Sequence, residues 1–255
     1  MLPLRNYLKE NVFEWCFRRG EAPRKRPNVD LRQEEKAMAI SNVAILGGTG
    51  SGAIVGQALR DIGASGGKLK PLGFLNDVEK KGARIDGLTV LGSFDNWAEL
   101  PPDTLFIGAI HLPKLAAERF ARLRSLGIPA DRWATVIHPT ADIAGSAIVG
   151  VGAYVGPNAV LMPGVTVGDH CTLRAGCYVS HDVTVGDFGF VGPNAILNGR
   201  SRVGEGSHFG SGAVCREDTA IGDYCMVGIG SVVVRDVPNG ATVAGNPARQ
   251  LSPNT

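Results

Sequence analysis

The stretch Ile148-Val149-Gly150-Val151-Gly152-Ala153-Tyr154-Val155-Gly156-Pro157-Asn158-Ala159-Val160-Leu161 decides the fold. Apolar residues stand six apart at Val149, Val155 and Leu161; glycine follows the first two, and Ala153 and Ala159 lie four positions after them. The same register runs outward through Ile137, Ile143, Val149, Val155, Leu161, Val167, Leu173, Val179, Val185, Val191, Leu197, Val203, Phe209, Cys215, Ile221, Val227 and Val233, all of them apolar. A six-residue period without a helix-period stripe suits short flat strands joined by tight corners, where the adjacent glycines would supply positive φ. Each hexad then forms one face of a left-handed parallel β-helix. Three hexads make a coil, so residues one coil apart are predicted to stack at the ~4.8 Å interstrand spacing.

Upstream of this register a different rule holds. An apolar run at 43–46 leads into the Gly-rich turn 47–52 and then into Ile54, Val55, Ala58 and Leu59 at helical spacing, which reads as strand, turn and helix. Further strands are predicted at 70–75, 88–91, 105–110 and 134–137, with a helix over 115–126. The alternation predicts a small parallel sheet flanked by helices, a Rossmann-like α/β domain. Three segments follow: an N-terminal extension over 1–40, the α/β domain over 41–135 and the β-helix over 136–255. In the extension, Leu4, Leu8, Val12 and Trp15 recur at roughly helical spacing ahead of the basic run Pro23-Arg24-Lys25-Arg26-Pro27. This segment reads as an amphipathic helix packed on its own protein, without chemistry.

Bulk properties narrow the function. Lys and Arg number 26 against 24 Asp and Glu, a formal charge of +2, so nothing electrostatic argues for nucleic acid as a partner. No apolar run approaches the ~18 to 20 residues of a membrane span, and the N-terminus lacks a signal peptide's apolar core. Five cysteines, Cys16, Cys171, Cys177, Cys215 and Cys225, form no CxxC pair, and their odd number opposes a closed disulfide framework. A reducing, cytoplasmic setting and a small-molecule substrate are expected.

The repeat and the ending Val243-Ala244-Gly245-Asn246-Pro247-Ala248-Arg249 together resemble the hexapeptide-repeat acyltransferases. The turn 47–52 and the segment Gly73-Phe74-Leu75-Asn76-Asp77 make the chain similar to bacterial sugar acetyltransferases of the bacillosamine N-acetyltransferase and sialic-acid O-acetyltransferase type, over about 42–251. The resemblance implies acetyl-CoA as co-substrate, a nucleotide-linked sugar as acceptor and a homotrimer. It assigns His181 as general base, an imidazole being able to take a proton from an amine or hydroxyl near neutral pH. Asp182 would orient that ring, and Gly199, one coil further on, would offer its backbone N–H to the thioester oxygen.

The resemblance also implies that the CoA arm lies along Gly192, Gly210 and Gly228, with Phe190, Ser211 and Ile229 beside it and Asn246 and Arg249 near its end. The sugar nucleotide would be held by Gly48, Thr49, Gly50, Ser51, Asn76 and Asp77. Three positions depart from the family's pattern: Ser51 and Phe190 stand where relatives carry histidines, and Arg174 replaces an asparagine. His111, His138, His170 and His208 share no metal-ligand spacing and read as surface or interface residues; no metal is expected. Three other classes stay open at this point. They are a nicotinamide-dependent oxidoreductase, suggested by Gly48-Thr49-Gly50 after a strand, a metal-dependent β-helix enzyme of the carbonic anhydrase type, and a non-catalytic β-helix assembly protein.

Overall fold

The structure is a computed structural model that describes residues 40–251; the amphipathic helix expected in the N-terminal extension lies outside the described residues. From Val136 to Val233 the chain winds through two-residue strands that pair only with strands one coil away. Tyr178–Val179, for example, pairs in parallel with Val160–Leu161 on one side and Ile196–Leu197 on the other. Three parallel ladders result, fitting the predicted left-handed parallel β-helix. The first face carries Tyr154–Val155, Thr172–Leu173, Phe190–Val191 and His208–Phe209. The second carries Val160–Leu161, Tyr178–Val179, Ile196–Leu197 and Val214–Cys215. The third carries Thr166–Val167, Thr184–Val185 and Arg202–Val203.

Side chains alternate across a strand, so one residue of each pair faces inward. The inward residues are the six-residue apolar series, and from Val149 to Val233 all of them are buried in one core. A strand this short has no independent stability. It persists because each apolar residue buried in the prism contributes about 1.5–3 kcal/mol and because every coil hydrogen-bonds its neighbours.

The glycines beside the apolar series do not serve positive φ, as the sequence suggested. From Val149 to Val227 positive φ falls three residues after each apolar position, and there it is borne by Asn158, His170, Asp182 and Phe188 as readily as by Gly152. The left-handed conformation costs a non-glycine residue about 1–2 kcal/mol. The corner N–H groups offset part of this: Phe188 donates to the Asp169 carbonyl at 2.8 Å and Asp182 to the Pro163 carbonyl at 3.1 Å. Glycine follows the apolar residue for another reason, because a Cβ there would strike the next coil. At Gly192 it would stand 2.5 Å from the Ser211 nitrogen, and at Gly210 2.6 Å from the Val227 oxygen.

The preceding α/β part contains β1 (Ser41–Gly47), α1 (Ser51–Ala64), β2 (Leu69–Leu75), β3 (Arg84–Ile85), β4 (Leu88–Gly92), β5 (Leu105–Ala109) and α2 (Ala116–Ser125). The sheet order is β3-β4-β2-β1-β5, parallel except for the short β3, which pairs antiparallel to β4 and was not foreseen. The strand predicted at 134–137 belongs to the coil instead. Val136–Ile137 pairs with Tyr154–Val155, while only Trp133 bridges back to Phe106.

This α/β part rests on the first face of the coil. Tyr154 and Val136 enter the core shared with Val43, Ile45, Leu59 and Phe74, and Phe188 joins the one containing Phe106, Phe120 and Leu123. All four histidines other than His181 lie in this seam. His138 Nε2 meets Asp61 at 3.2 Å, and His170 stacks on Phe188 and meets the edge of Trp133. His111 Nε2 and His208 Nδ1 are 3.0 Å apart, and both rings lie nearly parallel to Phe190, at 4.5 and 4.4 Å.

Burial holds the His111–His208 pair neutral. It lowers His111 to about 3, assisted by the neighbouring His208, Arg174 and Arg119, and lowers His208 to about 4. The unfolded chain takes up these protons first as pH falls below ~6.5. The associated stability is therefore complete above that pH and is lost on acidification toward the folded values. Thermal melts between pH 7 and 4 are expected to show this loss, and the neutral variant His111→Gln to flatten it; an unchanged slope would assign the acid sensitivity to other groups.

Candidate active site

His181 sits at the corner that joins the second face to the third, immediately after Tyr178–Val179 and Ser180. Its exposed ring is held by its neighbour in sequence, with Nδ1 3.0 Å from Asp182 Oδ2. The positive φ of Asp182 turns that carboxylate toward the ring. With Nδ1–H donating to the carboxylate, Nε2 is left as the proton acceptor.

The 18-residue ruler is confirmed here by a direct hydrogen bond, Arg200 N–H to the His181 carbonyl at 3.0 Å. His181 therefore lies over Gly199. A Cβ on Gly199 would stand 2.5 Å from His181 Nε2 and 2.7 Å from Cε1. The atoms a side chain at this position would meet are those of the imidazole itself. The Gly199 N–H donates to no acceptor among the described residues.

That open donor is a property of the corner. On the corner between the third and first faces the equivalent N–H groups are capped from the next coil, Val151 by Asp169 Oδ1 at 3.1 Å and Glu205 by Asp223 Oδ1 at 2.9 Å. On the other two corners hydroxyls of the preceding coil meet the next N–H along, Thr140 at Asn158 and Ser146 at Gly164, whereas the equivalent N–H groups of Gly199, Ser211 and Ile229 are without partners among the described residues. The sequence carries this signal as an Asp at 169, 187 and 223 on one corner only, a pattern not read from the sequence.

Gly192, Gly210 and Gly228 do form a column, on the corner between the first and second faces, with Ser211 and Ile229 exposed beside it. Ile229 is 79% exposed, an unusual state for isoleucine. At the end of the coil, Thr242–Gly245 and Ala248–Gln250 form a hairpin across a cis Asn246–Pro247 bond. Ala244 packs over Gly228, and Asn246 and Arg249 project exposed from the hairpin. Phe190 lies on the first face, two residues before Gly192. Its ring is stacked on His111 and His208 within its own chain.

The turn Gly48–Ser51 caps the C-terminal end of β1 and opens α1, whose first turn carries no acidic residue. Its N–H groups are thus available to an anion. Asn76 and Asp77 reach the same edge but are engaged in shaping it. The Asn76 amide donates to the Gly47 carbonyl and its oxygen accepts from Val78 and Glu79 N–H, each at 2.8 Å. Asp77 accepts from the Phe94 N–H at 2.7 Å and pairs with Arg122.

Within one chain the structure does not bring these groups together. The α/β part covers the first face, whereas His181 lies at the opposite corner, between the other two. A cleft of about 200 Å³ at the seam, lined by Arg124, Trp133, His170 and Phe188 among others, contains none of the predicted site residues. Burial raises the thiols of Cys171, Cys177, Cys215 and Cys225, so none of these four is activated as a nucleophile. Among the described residues no group of three His, Cys, Asp or Glu side chains is arranged to hold a metal.

Comparison with known proteins agrees with this architecture. Residues 146–181 match the family model for the bacterial transferase hexapeptide (six repeats). No curated protein sequence matches the chain. Among solved structures, the acetyltransferase domain of PglB from Neisseria gonorrhoeae is 30% identical with a TM-score of 0.73, the match covering 82% of this chain and 99% of that one. The same domain has been solved in complex with acetyl coenzyme A. PerB from Caulobacter crescentus, in complex with CoA and GDP-perosamine, is 28% identical with a TM-score of 0.71, covering 85% of this chain and all of that one. WeeI from Acinetobacter baumannii is 26% identical with a TM-score of 0.70 over 83% of this chain and all of its own. By its repeat, its coil and this full-length likeness, the chain belongs to the family of hexapeptide-repeat sugar acetyltransferases.

Proposed function

We propose that this protein transfers an acetyl group from acetyl-CoA to an amino or hydroxyl group of a nucleotide-linked sugar, with His181 as general base. The observation that carries the reading is the His181–Asp182 couple lying over the open N–H of Gly199. Bound acetyl-CoA supplies an activated acetyl thioester. His181 Nε2 takes the proton from the attacking amine or hydroxyl, the new bond to the acetyl carbon forms as the thioester C–S bond breaks, and CoA leaves as the thiol by taking up that proton; Asp182 holds the ring in the tautomer that leaves Nε2 free, and the Gly199 N–H meets the negative charge developing on the thioester oxygen. Such a donor is commonly worth about 3–4 kcal/mol.

The glycine corner fits the cofactor. An extended arm bearing amides needs a groove with unpaired backbone donors, and Ser211 and Ile229 offer two beside an exposed isoleucine. Arg249, exposed and without an acidic partner among the described residues, would serve a phosphate at the far end. The α/β part reads as a Rossmann-like nucleotide-sugar domain. Its parallel strands follow the order β4-β2-β1-β5, so the Gly48–Ser51 turn stands at the switch point between β1 and β5, where ligands bind in such sheets. The hydroxyl of Ser51 and the turn's backbone would then contact the sugar nucleotide, with Asn76 and Asp77 buttressing them.

A homotrimer completes the site. The outward residues of the second face, Val160, Tyr178, Ile196, Val214 and Val232, form a flat apolar ladder left uncovered by the chain itself. His181 borders one edge of that face and the glycine column borders the other. Packing three copies around an axis through this face brings the His181 edge of each against the glycine column and α/β turn of the next. This arrangement accounts for the separation of the two halves of the site within one chain.

His181→Ala is expected to lower kcat by roughly 10²–10⁴-fold while the assembly sediments unchanged; undiminished acetyl transfer, read as free CoA released in the presence of nucleotide-linked amino sugars, would remove the mechanism. Val214→Glu buries an unpaired charge in the proposed interface. It is expected to yield folded monomers by light scattering that no longer turn over, and a fully active monomer would overturn the shared site.

A further inference from the structure

Arg174 is anomalous in its column. The positions above and below it on the same corner are Gly156 and Gly192, and its long side chain lies half-buried over the first face, its guanidinium carbon 6.0 Å from the Phe190 ring centre. Nη1 is sealed from solvent without a hydrogen-bond partner. Among the described residues the guanidinium makes no hydrogen bond and no ion pair. Arg60, Arg122, Arg124 and Arg200 are each matched to a carboxylate, Arg119 and Arg132 donate to backbone carbonyls, and Arg202, Arg216, Arg235 and Arg249 are exposed to solvent. An arginine stays charged under all ordinary conditions, and burying its charge uncompensated is unfavourable unless something else supplies the counter-charge.

The surroundings cannot supply it. His111 and His208 are held neutral, and neither would balance a cation in any state. Tyr154 is a neutral phenol whose titration burial pushes upward. Burial also lowers Arg174 from its ordinary value, opposed only by the Tyr154 phenol and by no carboxylate. The location is informative. His111 follows β5, whose last residue, Ala109, pairs with Gly47 at the start of the Gly48–Ser51 turn. Arg174 also shares a coil with His181, at the opposite edge of the apolar second face. In a cyclic assembly with parallel coils, equal levels meet, so Arg174 of one copy lies level with His181 of the next.

We propose that Arg174 is a specificity-determining residue that binds an anionic oxygen group of the acceptor, either a carboxylate on the sugar or the diphosphate that links it to the nucleotide. This inference rests on the acetyl-transfer reading for the name of the acceptor, and the cation's need for a counter-charge stands independently of it. A guanidinium offers a planar fork suited to either group. Its charge close to the acceptor also disfavours the ammonium form of an attacking amine, leaving more of it as the nucleophile.

Equilibrium titration of the assembled protein separates the possibilities without needing turnover. The probes are two pairs differing in one carboxylate, UDP-glucuronate with UDP-glucose and GDP-mannuronate with GDP-mannose, together with inorganic pyrophosphate and acetyl-CoA. Arg174→Met is expected to weaken an anionic probe by about tenfold or more, with Arg174→Lys recovering part of the loss and acetyl-CoA affinity unchanged. Loss confined to the uronates identifies the carboxylate; equal loss for both members of a pair and for pyrophosphate identifies the diphosphate.

Unchanged binding of every probe, loss confined to acetyl-CoA, absence of anionic-probe binding by the native protein, or dissociation of the assembly with ligand binding intact would each overturn the inference. Lack of acetyl transfer to any acceptor would instead overturn the activity and leave these titrations readable. His181-dependent turnover indifferent to Arg174→Met would overturn only the role of Arg174.

Discussion

Each coil is tied to the next by backbone hydrogen bonds along the coil axis, such as Ser180 N–H to the Leu197 carbonyl and Tyr178 N–H to the Ala195 carbonyl, both at 2.9 Å. One such bond contributes only about 0.5–1.5 kcal/mol net, and the strands they join are two residues long. Their importance lies in repetition and in what they exclude. A slip by one residue would turn Val179, Leu197 and Cys215 outward and expose the prism's interior. The bonds and the apolar series therefore enforce one register, and that register sets the height and direction of every corner residue, His181 included.

Much of this was legible in the sequence because one physical demand, burial, recurs at a fixed interval. From Val149 to Val233 the period marks the interior, and the 18-residue spacing that follows from it sets His181 beside Gly199, as the structure has them. The reason for the glycines was not legible. Positive φ and close approach both select the same residue, and only geometry distinguishes Gly152, which turns a corner, from Gly192, which makes room for the Ser211 nitrogen. The strand at 134–137 was misassigned for a related reason, since a boundary strand satisfies the local pattern of the halves on either side of it.

Other features escaped because they arise between distant parts of the chain. His111 and His208 are separated by 97 residues, yet they share a proton-bearing contact and a common stack with Phe190. Nothing in the sequence near Asn76 or Asp77 indicated that their side chains are committed to the Gly47 carbonyl, the Phe94 N–H and Arg122. The same holds for Arg174. Its departure from the asparagine of the family's pattern was visible, whereas its want of a partner became apparent only from its three-dimensional surroundings.

The three-hexad coil also restricts how such a chain can change in length. Inserting or deleting one hexad above His181 would leave the apolar series intact and the core buried, yet it would carry everything beyond that point around the prism by one face, about a third of a turn. Corners capped by Asp169 and Asp223 would no longer stack with their own kind. Only changes of 18 residues preserve the facing of every column. Gradual variation in size is thereby replaced by discrete steps of one coil, each of which moves the C-terminal hairpin away from the His181 level by a full interstrand spacing of ~4.8 Å. The distance along the coil between the two is thus set in whole coils.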